Sequence, residues 1–411
     1  MAIKKKTLRD VNLKGKRVIH HCDFNIKLRQ NGLGESVPVS EVRIKAYFPS
    51  IFYLLDQKCK IIFISYLERP GGKRVKSLSL APVAKRLSQL INREVKHLPD
   101  LVGPKVRKFI DEMKPGEMVM LENTRFYPGE MADDDKFAKE IARNGDIKVM
   151  DAFGHAHRIH ASVTGVPRHI PAVAGMYLEG EMETFNKLKR NPQRPLVLMV
   201  GGTKVYDKIK AIGNLIKKAD YVLTGGAVAN NFLKAKGLEV EKSFLEELFV
   251  DKAKGTQVDP VEEARKLMEK YPKKVIVPDD YIAGDQIKEP KRRKLVDLKT
   301  GKKLPKNWAY LDIGPRTIRK YVKIIRQAGT VFWDGPMGKY EDDRFREGTL
   351  KIAEAIAEDG KTSILAGGDT AALAENFGYI FRYSHVSVAG GATLQYLANR
   401  PMPGIEALLD K

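Results

Sequence analysis

A chain of 411 residues, 43% hydrophobic and 30% charged, exceeds what one ordinary core organises and predicts two domains, or three. Its two cysteines, Cys22 and Cys59, are too few for a disulfide framework or a cysteine-based zinc module, and no apolar run reaches the ~20 residues of a membrane helix. A net charge of +22 points to an anionic partner, whether nucleic acid, an anionic membrane surface or small anionic substrates.

The basic start, "MAIKKKTLRDVNLKGK", lacks the apolar segment of a signal peptide and predicts a cytoplasmic terminus. Short apolar runs rich in β-branched residues then mark strands: "RVIHHC" (17–22), "KIIFIS" (60–65), "EMVML" (117–121) and "DIKVMD" (146–151). Between the first two, "RIKAYFPSIFYLLDQ" (43–57) has helical period. "MYLEGEMETFNKLKRNPQRP" (176–195) reads as a charged amphipathic helix that ends at a proline-rich turn and bridges two lobes. Strand-like runs resume with "PLVLMV" (195–200), "DYVLT" (220–224), "KKVIV" (273–277), "GTVFW" (329–333), "TSILA" (362–366) and "HVSV" (385–388), and "GTLKIAEAIAEDG" (348–360) is helical. This alternation predicts an α/β protein with parallel sheets covered by helices on both faces. The basic segment "QIKEPKRRKLVDLKTGKKLPKNW" (286–308) reads as a solvated hairpin excursion; without aromatic interleaving it does not favour single-stranded nucleic acid. No fixed-period repeat and no low-complexity segment occurs.

In open α/β sheets ligands sit beyond the carboxyl ends of the strands, so the residues that follow each run matter most. In the first half these are "DFN" (Asp23, Phe24, Asn25), "YLERP" with Arg69, "ENTRF" with Arg125, and "DAFGHAHR" with Arg158, while Arg43 opens the first helix. One such arginine reads as ordinary surface. Four at corresponding strand ends read as an anion pocket, because guanidinium forks match carboxylate and phosphate oxygens.

The second half differs in kind. "VGGTKVYDKI" (200–209) places two glycines with Lys204 and Lys208 at a strand-to-helix junction, where lysines four apart share a helix face. "TGGAVANNF" (224–232), "FWDGPMGKYE" (332–341), "LAGGDTAALAENFG" (365–378) and "SVAGGATLQYLA" (387–398) add further glycine turns. Glycine lets backbone N–H groups approach a phosphate, and the helix beginning there offers its positive end, so several such turns on one sheet point to a nucleotide. Asp369 suits a phosphate site if a cation mediates, and Mg2+ fits; the alternative is that Asp369 or Thr370 caps the helix that follows. The chain has no GxxxxGK[ST] loop, and "DAFG" is not the DFG element of protein kinases.

The ordered series "DFN", "RP" after a strand, "LENTRF", "DAFGHAHR", "GGTKVYDKI", "DIGPRT", "WDGPMGKYE", "GGDT" and "GGAT…MPGIEAL" resembles the phosphoglycerate kinases over essentially the whole chain. The resemblance implies two Rossmann-like lobes: a glycerate-binding lobe (1–175), a linking helix (176–192), a nucleotide-binding lobe (193–392) and a tail (393–411) that packs back on the first lobe. It implies a cytoplasmic phosphotransferase, monomeric or homodimeric. The substrates would be 1,3-bisphosphoglycerate and ADP, giving 3-phosphoglycerate and ATP with Mg2+ after closure about the linking helix. Asp23 and Asn25 are then expected to hydrogen-bond the glycerate, in a pocket also formed by Phe24, Tyr66, Leu67 and Glu68. Arg43, Arg69, Arg125 and Arg158 would take its carboxylate and phosphate. Lys204 would lie near the transferring phosphoryl and Lys208 on the nucleotide phosphates, with Arg43 completing the catalytic set. Gly367, Gly368, Asp369 and Thr370 would line the phosphate–magnesium end, with Asp369 on the metal. Glu341 would meet the ribose, and Gly202, Gly225 and Gly226 would wall the adenine.

Several positions depart from the family pattern toward an archaeal-like variant. His21 stands for the usual arginine, "SYLERP" for "SHLGRP" (Tyr66 and Glu68), "GHAHR" for "GTAHR", "GGTK" for "GGAK", and Asp334 for the asparagine of "WNGP". The string H-x-H-x-x-H in "GHAHRIHAS" is similar to the start of the metallo-β-lactamase ligand pattern, but Ile159 holds the aspartate slot and distant ligands lack candidates. His155, His157 and His160 are therefore expected to orient the loop and tune the pocket's charge. A second reading is a catalytically weak relative kept as an anion- or nucleic-acid-binding protein.

Overall fold

The runs read as strands pair in two parallel sheets, one in each half of the chain. The computed structural model describes residues 5–251 and 256–411, so the first four residues of the expected first lobe lie outside the described residues. The chain divides into two units, Met1–Asn186 with Pro401–Lys411, and Lys187–Arg400.

The first unit holds β1 (Arg17–His21), β2 (Lys60–Ile64), β3 (Val95–His97), β4 (Met118–Met120), β5 (Ile147–Met150) and β6 (Ala172–Ala174), in the sheet order β3-β4-β2-β1-β5-β6. Every pairing is parallel. Alternation along the strands divides the core between the two faces. Val18, Ile61, Phe63, Met118 and Val149 join one cluster, and Ile19, Ile62, Ile64 and Val119 join the other. β3 (Val-Lys-His) has one apolar residue and β6 (Ala-Val-Ala) is mostly alanine, so neither shows a β-branched run in the sequence.

The helical stretch after β1 is interrupted: α1 (Val42–Lys45) and α2 (Phe48–Asp56) are separate helices. Pro49 lies in the first turn of α2, where its missing N–H costs nothing; inside one continuous helix its ring would clash with the carbonyl four residues back. Further along come a one-turn helix, α3 (Pro128–Met131), and α4 (Met176–Arg190), which starts where the linking helix is expected. The boundary between units falls inside α4. The tail returns to the first unit: Lys6 N–H donates to the Leu409 carbonyl at 2.7 Å, and Leu409 N–H to that of Ala172 at 2.9 Å.

In the second unit β7 (Leu196–Val200) is followed by α5 (Val205–Leu215), and β8 (Tyr221–Thr224) by α6 (Gly226–Ala235). Next come β9 (Val275–Ile276), β10 (Asp280–Gly284), β11 (Arg293–Asp297), β12 (Ala309–Ile313), β13 (Thr330–Asp334) and α7 (Glu347–Ala357). β14 (Thr362–Ala366) leads into α8 (Gly368–Asn376), and β15 (His385–Ser387) into α9 (Gly391–Leu397). The parallel sheet runs β9-β8-β7-β13-β14-β15. The segment read as a surface excursion instead supplies β11, which with β10 and β12 makes a three-stranded antiparallel sheet. Val296 and Leu304 are buried there, a two-residue apolar content that the surrounding lysines obscure. α9 buries Ala392, Thr393, Leu394 and Leu397 in this unit, so the tail's return begins at Pro401 and not at residue 393.

Lys148 sits inside the first sheet, fully buried, and donates to the carbonyls of Ser162 at 2.6 Å and Val163 at 2.8 Å. A neutral amine has two N–H groups for these two acceptors, and burial lowers the pKa to about 7. Between about pH 7 and the ordinary 10.5 the unfolded chain therefore binds the additional proton, so this residue makes stability rise with pH across that window. Urea unfolding at pH 7 and pH 9.5 should show Lys148→Met losing a rise that approaches about 1.4 kcal/mol per pH unit in the parent chain; an equal rise in both would refute the assignment.

Candidate functional site

In the first unit β1 lies between β2 and β5, so its carboxyl end and theirs deliver adjacent loops. After β1, Asp23 is nearly buried, and its backbone N–H donates to Tyr47 Oη at 3.0 Å. Its carboxylate receives Arg43 Nη1 at 2.7 Å, which holds this α1 residue against the strand end. Burial pulls the Arg43 pKa down, but Asp23 and the hydroxyls of Tyr66, Tyr47 and Tyr177 outweigh it, so the group stays cationic. Asn25 Oδ1 accepts the Glu68 N–H at 2.9 Å and joins the loop after β1 to the loop after β2.

Arg125 stacks its guanidinium 3.8 Å over the Tyr66 ring and donates from Nη1 to the Glu68 carbonyl at 2.7 Å. Its Nε is buried with no hydrogen-bond partner among the described residues, as are Thr124 Oγ1 and His157 Nδ1. A buried guanidinium donor with nothing to bond is costly unless a ligand completes it. Arg158 is exposed, and its charge acts on Tyr66 and His157. Burial, followed by Arg158, lowers the His157 pKa to about 4, so this ring is neutral at pH 7. The structure thus gathers Asp23, Asn25, Arg43, Tyr66, Glu68, Arg125 and Arg158. Arg69 is exposed one residue beyond Glu68 and, among the described residues, makes no hydrogen bond or ion pair with this group. Two expectations change: Phe24 and Leu67 turn their side chains into the core, Phe24 edge-on to Tyr47 at 5.5 Å, which leaves only their backbone for a ligand.

The departures have physical counterparts. Glu68 has φ +53°, the left-handed region that a glycine enters freely and that costs another residue about 1 kcal/mol, and its side chain is exposed. Tyr66 is the platform for Arg125 on one side and lies 4.4 Å from His155. His21 is buried, with Nε2 3.3 Å from His155 Nδ1.

The second unit contains a cavity of about 360 Å³ whose lining includes Gly202, Lys204, Lys208, Gly226, Glu341, Gly367, Gly368, Asp369 and Thr370. Gly225 stands behind it, packed on Met337. The cavity opens where the strand order reverses, between β7 and β13. The loops after β7, β8 and β13 are stitched together: Gly201 N–H donates to the Asp334 carbonyl (2.9 Å), Gly202 N–H to that of Pro336 (2.9 Å), and Gly226 N–H to that of Met337 (2.7 Å). At Gly226, φ is +53° and a Cβ would stand 2.7 Å from Gly202 N; at Gly201 a Cβ would be 2.0 Å from the Pro336 carbonyl oxygen. Only glycine permits this approach. The first turns of α6, α8 and α9 all border the cavity, and their unpaired N–H groups favour an anion. Phe244, Ile287, Tyr310 and Leu311 add an apolar lining. Sequence reading passed over these four because they come from the antiparallel sheet and its flanks.

The two lysines play different parts. Lys204 is exposed at the N-cap of α5. Lys208 is buried and donates to the carbonyls of Gly201 (2.5 Å) and Asp334 (3.0 Å), with the Asp334 carboxylate at 3.2 Å. Burial raises the Asp334 pKa, against the pull of Lys208 and Lys204. Thr370 is buried and accepts the Gly335 N–H at 2.8 Å, a positioning contact for the same loop. Asp369 is exposed in the first turn of α8, and its charge is felt at Asp334 and Tyr340.

The family described as "Phosphoglycerate kinase" matches residues 8–400. A phosphoglycerate kinase from Pelotomaculum thermopropionicum is 40% identical over 410 residues, 99% of this chain and 100% of the relative. Another, from Thermosipho africanus, is 40% identical over 415 residues, 100% of this chain and 99% of the relative. Phosphoglycerate kinase structures from Coxiella burnetii (35% identical, TM-score 0.79) and Pyrococcus horikoshii (30% identical, TM-score 0.85) each cover 98% of both chains.

Asp334 places a carboxylate where phosphate charge is expected, and tethers Lys208. Asp334→Asn keeps an acceptor for Lys208 but removes the negative charge, so it should tighten ADP binding in Mg2+-free buffer about tenfold, on the order of 1.4 kcal/mol. Calorimetric titration reads this directly, and unchanged or weaker binding would count against the arrangement.

Proposed function

This chain belongs to the phosphoglycerate kinase family, and from that premise we propose how its residues divide the work. The reaction is phosphoryl transfer between 1,3-bisphosphoglycerate and ADP, giving 3-phosphoglycerate and ATP. The bond from phosphorus to the glycerate carboxyl oxygen breaks as one to the ADP β-phosphate oxygen forms. Such transfer asks the protein for in-line positioning and charge neutralisation, with no covalent enzyme intermediate. The alternative of a weak relative that serves as an anion- or nucleic-acid-binding protein is not favoured by the full-length similarity.

In this reading Asp23 and Asn25 orient the glycerate, and Arg43, Arg69, Arg125 and Arg158 take its carboxylate and phosphate. The observation that carries it is Arg125 Nε, a buried cationic donor without a partner among the described residues. The second-unit cavity takes the nucleotide, with Gly202 and Gly226 walling the base, Glu341 at the ribose, and Gly367 and Gly368 presenting N–H groups to the phosphates. Lys204, exposed at the cavity, is the group free to follow the transferring phosphoryl; Lys208 holds the phosphate loop together and balances Asp334.

The residues present fit Mg2+. Asp369 offers one hard carboxylate at the phosphate end, and one carboxylate plus phosphate oxygens is the donor set this ion accepts. Bound with the nucleotide, Mg2+ neutralises phosphate charge. The substrates are the partners proposed for this chain, acting in the cytoplasm in a monomer or homodimer. No helix among the described residues is long and apolar enough to cross a membrane.

A coupled assay for ATP formation should show turnover with Mg2+. Arg158→Ala should lower kcat/KM for 1,3-bisphosphoglycerate at least about 100-fold, some 2.7 kcal/mol, while the melting temperature stays near that of the parent. Unchanged kinetics would remove Arg158 from the site. Reaction also requires donor and acceptor atoms about 3–3.5 Å apart, so the glycerate and nucleotide sites have to meet, and we place the movement at α4. Small-angle scattering should give a smaller radius of gyration with 3-phosphoglycerate and ATP together than with either alone; equal radii would exclude closure.

A further inference from the structure

Behind the first-unit site lies a buried group of side chains that phosphoryl transfer does not use. His155 is 1% exposed, His160 7% and Glu130 0%. One ligand atom from each lies within 4.8 Å of those of the other two. His155 Nε2 is 3.1 Å from His160 Nδ1, which is 3.6 Å from Glu130 Oε1. Donors on a tetrahedral ion at about 2.0–2.2 Å stand roughly 3.3 Å apart, and these two separations bracket that value.

The hydrogen bonds present turn the donor atoms inward. His155 Nδ1 can donate to His21 Nε2, which aims the Nε2 lone pair at His160 Nδ1, 3.1 Å away. Glu130 Oε1 stands 3.6 Å from His160 Nδ1, beyond hydrogen-bond reach, in a buried space. A cation there would take up all three donor atoms, where hydrogen bonding joins only the two imidazoles.

The surroundings are those of a metal site. His155 Nδ1, the nitrogen away from the group, meets His21 Nε2 at 3.3 Å. Glu130 is fixed by Ser162, whose Oγ donates to Oε1 at 2.6 Å and whose N–H donates to Oε2 at 2.9 Å. Such outer contacts orient metal ligands and set the imidazole tautomer. The chain therefore assembles the set from two places: α3 supplies Glu130, and the loop after β5 supplies both histidines. Lys148 lies on the carbonyl side of Ser162, and its amine donates to the Ser162 and Val163 carbonyls.

We propose that Glu130, His155 and His160 bind a divalent transition ion of the zinc type, which prefers this nitrogen and carboxylate set to the all-oxygen set of Mg2+. The ion would tie α3 to the loop after β5 and stiffen the platform on which Tyr66 lies against His155 and carries Arg125.

The test uses the full-length chain, stripped with chelator and titrated with Co2+ in Mg2+-free buffer. A ligand-field absorption saturating at one equivalent, displaced by Zn2+ and accompanied by a higher melting temperature, is the expected result. His155→Thr and Glu130→Gln should each weaken Co2+ binding at least about 100-fold, whereas Asp369→Asn should leave the titration unchanged. Circular dichroism of the metal-free variants separates lost ligands from lost fold, and either variant suffices if the other does not fold. No Co2+ signal in the parent chain, or equal binding by a folded His155→Thr, would overturn the proposal and leave a hydrogen-bonded imidazole row.

Discussion

Parallel strand pairing is the constraint on which both sites depend. In a parallel sheet every strand ends at the same edge, so residues far apart in the chain become neighbours without any local sequence relation. β1 between β2 and β5, and β7 between β8 and β13, are the central strands of their sheets, and each sits where the chain turns to fill the opposite side. At those points adjacent loops diverge and leave room for a ligand. The alternating burial that fixes strand register also fixes which side chains emerge. A one-residue slip in β1 would exchange the environments of His20, which reaches Asp151 at 2.8 Å, and His21, which reaches His155.

The two units offer different chemistry for holding an anion. The first uses side chains: guanidinium groups held by Asp23, by the Tyr66 face and by the Glu68 carbonyl, so that charge is positioned before any ligand arrives. The second uses the backbone, with glycines admitting main-chain N–H groups where a Cβ would collide with the neighbouring loop. Side-chain forks suit the planar carboxylate and the compact phosphate of a small acid. Main-chain donors at helix starts suit a chain of phosphates that must slide during transfer.

The divergent positions make sense as a connected set more than as isolated changes. Tyr66 in place of a histidine supplies the ring on which Arg125 lies, and the same ring meets His155, which in turn meets His21. Three departures thus touch one another in a buried row. Glu68 keeps the left-handed backbone of the glycine it replaces, so the Arg125 contact to its carbonyl persists and the new carboxylate is carried in solvent. Asp334 is different: it is buried, and Lys208 answers its charge.

The α/β class and the central strands were legible in the sequence because each has a local signature, and so were the residues that line the strand ends and the cavity. Hydrophobic runs mark buried strands, and glycine or arginine after a run marks a loop with work to do. It could not show that Phe24 and Leu67 point inward, since side-chain direction at a strand end is set by packing. Nor could it show that Ile287, Tyr310 and Leu311 complete the cavity wall, because they come from β12 and from the start of a lysine-rich stretch that looks like surface. The tail's return at Pro401 depended on which unit α9 buries its apolar side against. The convergence of Glu130 with His155 and His160 was decided only in three dimensions: Glu130 lies 25 residues before His155 and 30 before His160, and the sheet that brings them together leaves no periodic trace in the chain.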